Sequence, residues 1–193
     1  MENKKINLRF GAISCMILLA ALSRLIPHPI NFAPISGIAL FGAAFYGKKY
    51  WAFIIPIVSM WISDLIINNV VYAELFDGFV WFYSGSLFTY AAFVAIAILG
   101  MNALKRVTVS RVVASAMSAS ILFFALSNFG VWLSSGMYPH TWNGLATCYA
   151  AGLPFLKNTV AGDLVYSALL FGAFVWGESR FPALRPVSQS IAS

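Results

Sequence analysis

Long apolar runs, each near the length that crosses a bilayer, make up most of this chain, and short polar segments between them carry most of its charge. Helices are predicted at 10–25, 35–46, 51–67, 79–102, 112–133 and 158–177. A helix needs about 20 residues to cross the hydrocarbon core, whereas β-barrel strands would alternate in short segments. The pattern therefore predicts an all-α integral membrane protein with six spans. The second run is short. Pro27, Pro29 and Pro34 precede it, and proline both lacks an amide donor and restricts its predecessor, so the backbone there is extended or broken. Irregular backbone at membrane depth needs protein shelter or a wet cavity.

Composition agrees. At 61% hydrophobic, the chain has too little polar surface to cover a water-soluble globule. Its 193 residues suit one membrane domain: a tail over 1–9, a bundle over 10–177 and a tail over 178–193. Of twelve Lys and Arg, all but Arg24 and Lys157 fall in four clusters: Lys4, Lys5 and Arg9; Lys48 and Lys49; Lys105, Arg106 and Arg111; Arg180 and Arg185. The intervening polar segments have no basic cluster. By the positive-inside rule both termini are cytoplasmic, in an inner membrane if the source is bacterial. The net charge of +6 is then a topology signal and implies no nucleic-acid partner. A cleavable signal peptide ending near Ala21, Leu22 and Ser23 is the competing account of the N-terminus, but only an uncleaved first helix preserves the charge alternation.

Cys15 and Cys148 are expected near opposite membrane faces and unpaired. There is no Walker loop, dinucleotide glycine fingerprint, nucleophile elbow or metal-type Cys spacing. Energy from a nucleotide would have to come from another subunit. Small residues at helix-contact spacing, Ala39 with Ala43, Ala114 with Ser118 and Ser115 with Ala119, allow close helix approach.

Ionisable residues inside a bilayer are expensive and usually face a cavity or a partner. Arg24, Asp64, Lys157 and Asp163 all converge on the outer side of the predicted bundle, as do His28, His140, Asn31 and Asn128. Trp81 and Tyr83 open the fourth predicted helix there, and Tyr138 lies in the connection 134–157, long enough to act as a lid. The bland reading is ion pairing, Arg24 with Asp64 and Lys157 with Asp163, together with an interfacial aromatic belt. The functional reading is an outward-facing ligand pocket.

The run from Arg24 to Pro34, with Ser63-Asp64-Leu65, Ser127 to Trp132, Tyr138 to Thr141 and Gly162-Asp163-Leu164, resembles a family of small bacterial six-helix proteins. That family is similar to the substrate-binding S components of energy-coupling factor vitamin transporters, near the solitary cobalamin-uptake BtuM proteins. The resemblance implies an S-component-like bundle that binds a vitamin and moves it to the cytoplasm, with or without an energy-coupling ATPase module. It implies that His28, Asp64, Tyr83 and the motif around His140 line or support the pocket. The expected ligand is cobalamin or another corrinoid, with no intrinsic cofactor. No cysteine lies between Cys15 and Cys148, so His28 or His140 would be the metal ligand to a bound corrinoid. The alternatives are a membrane enzyme using Asp64 or Asp163 as general acid or base, and a structural subunit.

Overall fold

The computed structural model describes residues 2–186, with side chains from residue 8 onward. The side chains of Lys4 and Lys5 and the tail over 187–193 lie outside the described residues. Six helices follow in order: α1 (Glu2–Leu22), α2 (Ile35–Phe45), α3 (Trp51–Ile66), α4 (Ser86–Ala103), α5 (Val109–Ser134) and α6 (Trp142–Arg180). Among the described residues there is no strand. Five helices, all but α2, are long and apolar enough to cross a membrane, counting the turns that continue α1 and α3.

Although α2 is too short to cross alone, it is the centre of the bundle and packs against all five other helices. Its buried positions run from Ser36 to Gly42 and include Phe45, the pattern of a helix surrounded on all sides. At 1.5 Å per residue its 11 residues span about 16 Å, roughly half a hydrocarbon core. The chain before it is irregular backbone, with Ala33 and Pro34 buried. Gly162 on α6 makes this possible: a Cβ there would sit 2.9 Å from the Ala33 amide nitrogen, so only glycine lets the loop pass this close to the helix. Asn158 Nδ2 donates to Ile30 O at 2.9 Å, tying the loop to α6 a turn earlier.

At the opposite end an aromatic cluster holds α2 to α6, with the Phe45 and Phe174 centroids 4.5 Å apart and Phe41 edge-on to both Phe171 and Phe174. Arg9 lies over the Phe174 ring at 5.1 Å, pairs with Glu178 and donates to Leu184 O. Of the small-residue pairs, Ser115 and Ala119 face inward and are buried, while Ala114 and Ser118 are exposed. Both cysteines are free, Cys15 exposed and Cys148 buried.

Three predicted helix starts need correction. The first helix starts at Glu2 and not at 10. The fourth helix starts at Ser86 and not at 79, because Gly78 and Gly85 hold left-handed φ angles of 100° and 83° and the segment between them is irregular. Asn69 fastens that segment to the end of α3: its Nδ2 donates to Val80 O at 2.9 Å and its Oδ1 accepts from Val80 N at 2.7 Å. The last helix starts at Trp142 and not at 158. Thr141 caps it, its hydroxyl accepting from Gly144 N at 3.2 Å. Pro154 lies inside this helix, at the loss of one main-chain hydrogen bond. No long lid therefore joins α5 and α6; their connection is 135–141, and 142–157 is helix.

Candidate functional site

Because α2 begins halfway through the bundle, space remains ahead of its N-terminus, and a cavity of about 450 Å³ fills it. Its walls come from every helical neighbourhood at that end: Arg24 after α1, His28 and Asn31 in the proline loop, Tyr72 and Tyr83 between α3 and α4, Asn128 on α5 and Asp163 on α6. The connections that carry the basic clusters lie at the other end.

Arg24 occupies a 3-10 turn that continues α1. Its Nη1 donates to Asp64 Oδ1 at 2.7 Å and to Ser63 Oγ at 2.6 Å. Tyr90 OH donates to Asp64 Oδ2 at 2.8 Å. Both carboxylate oxygens are thus engaged, and both side chains are largely buried, 15% exposed for Arg24 and 6% for Asp64. Hydrogen bonds to the remaining lone pairs make such a buried pair tolerable. Arg24 lines the cavity and Asp64 stands behind it. Tyr83 OH donates to Thr89 Oγ1 at 3.0 Å, and burial, reinforced by the nearby Asp64 carboxylate, pushes its phenol pKa up, so it remains a neutral hydroxyl.

Asp163 does not pair with Lys157 as the bland reading of the sequence would have it. Its Oδ1 accepts from Ser36 N at 3.1 Å and its Oδ2 from Ser120 Oγ at 2.6 Å. The N-cap position of α2 is Pro34, which offers no capping side chain, so a carboxylate borrowed from α6 satisfies the first turn and sits at the positive end of the helix dipole. Lys157 lies mid-helix and exposed, not in a first turn, and does not line the cavity. Among the described residues the ion pairs are Arg9 with Glu178 and Arg24 with Asp64.

Of the other predicted site residues, His28, Asn31, Tyr83 and Asn128 line the cavity. His28 Nδ1 donates to Pro29 O at 2.9 Å, since a carbonyl can only accept, and this leaves Nε2 free. Asn31 holds a left-handed φ of 63°, a conformation asparagine tolerates better than most side chains. Trp81, Tyr138 and His140 do not line it. Trp81 stacks on Trp61 at 6.3 Å and is exposed, the placement of an interfacial anchor. His140 packs against Trp132 at 5.4 Å in the α5–α6 turn. No group of three potential metal ligands forms among the described residues. Sequence reasoning missed Tyr72, Thr89, Ser127 and Thr159, which also line the cavity, and Tyr90 behind it. Their signal was weak, because uncharged hydroxyls inside apolar runs read as ordinary helix interior.

Fold and site together define a class: a helical bundle with membrane-spanning dimensions, a half-length central helix and a polar cavity above its N-terminus. Residues 4–184 match DUF6580, a family of unknown function, and the chain belongs to that family. No curated protein and no solved structure matches it.

Proposed function

We propose that the protein is a multi-pass membrane receptor and uptake component for a small polar solute, with both termini in the cytoplasm. The observation that carries this reading is the cavity of about 450 Å³ at the end opposite the basic clusters, walled by Arg24, His28, Asn31, Tyr83, Asn128 and Asp163. The positive-inside rule turns that end outward. The resemblance to vitamin-binding S components supports the same reading, and with it an energy-coupling ATPase module as a partner or solitary operation. The volume favours a vitamin-sized solute smaller than a corrinoid. For a corrinoid, the free Nε2 of His28 is the imidazole nitrogen that would approach cobalt.

Binding is favoured over acid–base chemistry because Asp64 stands behind the cavity and every oxygen of both carboxylates already accepts a hydrogen bond from the protein. Asp64 is held by Arg24 and Tyr90, and Asp163 by Ser36 and Ser120. The test is mass spectrometry of small molecules released from the purified protein, followed by binding assays with whatever is identified. The expected result is one polar solute whose retention falls at least about tenfold, near 1.4 kcal/mol, in Ser127→Leu and Asn128→Leu, whose larger apolar side chains crowd the cavity. A wild-type protein that releases nothing and binds no member of a vitamin panel, corrinoids included, would overturn the proposal.

A further inference from the structure

A second cavity lies at the opposite end of the bundle. Between the first turns of α5 and the second half of α6 runs a groove of about 420 Å³ whose lining includes Val109, Val113, Leu164, Ala168, Gly172 and Val175. No charged residue lines it. Small residues on α6 make it concave, and a Cβ added at Gly172 would meet nothing within 4 Å. Along α6 it extends from Leu164 to Val175, about 17 Å at 1.5 Å per residue. That is close to the roughly 15 Å depth of one leaflet of a hydrocarbon core. An apolar slot of this depth and shape fits an acyl chain lying along the helix.

Charge at its mouth specifies the rest of the occupant. Lys105 and Arg106 directly precede Val107, a lining residue, and Arg111 stands between Val109 and Val112, which also line it. All three basic residues are exposed, and none forms an ion pair among the described residues. The N-terminus of α5, where the Thr108 side chain caps the Arg111 amide, lies at the same place and adds the positive end of its dipole. Basic groups at the mouth of an interhelical cleft suit a lipid phosphate. We infer that this groove is a binding site for an anionic phospholipid, with one acyl chain between α5 and α6 and the phosphate held by Lys105, Arg106 and Arg111. The site is separate from the polar cavity and independent of what that cavity carries.

Native mass spectrometry of the purified full chain in mild detergent tests this, with phosphatidylglycerol and phosphatidylcholine of identical acyl chains titrated in parallel. The wild type is expected to retain phosphatidylglycerol at least roughly tenfold better, because only its headgroup carries a net negative charge to complement Lys105, Arg106 and Arg111. The triple variant K105Q/R106Q/R111Q is expected to lose that preference while still taking up both lipids. Gly172→Leu fills the slot without touching the charges and is expected to lower retention of both lipids several-fold; Ala168→Leu fills it from the preceding turn and serves if the first variant does not fold. Equal retention of the two lipids by the wild type, a preference that survives the triple substitution, or lipid occupancy unchanged in the filled variants would overturn the assignment. So would a wild-type dimer that the filling substitution dissociates, since a second copy would then be the occupant.

Discussion

Arg24 shows how a single charge acquires its role. Beside its carboxylate it is half of a buried pair completed by Ser63 and Tyr90; without Asp64 it would be an uncompensated cation in a low-dielectric wall. Arg24→Gln or Asp64→Asn alone is expected to cost about 3 kcal/mol of stability, read as a lowered unfolding midpoint in detergent. The double variant R24Q/D64N is expected to cost less than the two together, by on the order of 1 kcal/mol or more. Strictly additive losses would mean the two groups act independently. The sequence made this pair legible because formal charges stand out in apolar runs. It did not make Tyr90 legible: a tyrosine within an apolar helix carries no mark until a carboxylate lies 2.8 Å from its hydroxyl. Lys157 failed in the opposite way. Six residues from Asp163 in sequence, it is exposed on α6 and takes no part in the cavity wall, so nearness along a helix was a poor guide to partnership.

Among the elements, α6 departs most from its sequence pattern. Gly152 and Pro154 are poor helix formers, yet the helix runs through them for 39 residues, about 58 Å, well beyond a single membrane crossing. Tertiary contact with α5 sustains the early turns: Tyr149 OH donates to Ala125 O at 2.6 Å, and Cys148 Sγ lies 3.4 Å from Asn128 O. Gly152 belongs to this contact, since a side chain there would collide with Asn128. Such gains outweigh the penalty for proline in a helix, about 3 kcal/mol. If Thr141 is the cap that starts the helix, Thr141→Ala should lower stability by about 1 kcal/mol and speed hydrogen exchange of the amides over 142–146. Unchanged exchange there would assign the start of the helix to packing alone. The segment 79–85 is the mirror case: its aromatic run looks helical, but the two left-handed glycines and the Asn69 clamp keep it irregular. Local propensity lost to a contact distant in sequence in both cases.

For the whole molecule, the alternating charge clusters predict an orientation that labelling can read. Single cysteines at Asp77 or Met137, both exposed, in a C15S/C148S background, should react with a membrane-impermeant maleimide from outside intact cells, and one at Lys48 or Arg106 only after permeabilisation. The reverse pattern would invert the assignment and turn the polar cavity toward the cytoplasm. The amino-acid sequence by itself determined that the chain is helical, that most of its helices have membrane-spanning length, that proline breaks the entry to α2 and that its charges alternate along the chain. These follow from composition and spacing, which act locally and need no partner. Only the tertiary structure decided that α2 stands at the centre, that Asp163 caps it from another helix, and that the space above its N-terminus is a polar cavity while the groove between α5 and α6 is an apolar one. A cavity is a property of how helices of unequal length pack, and close packing depends on which side chains meet across them.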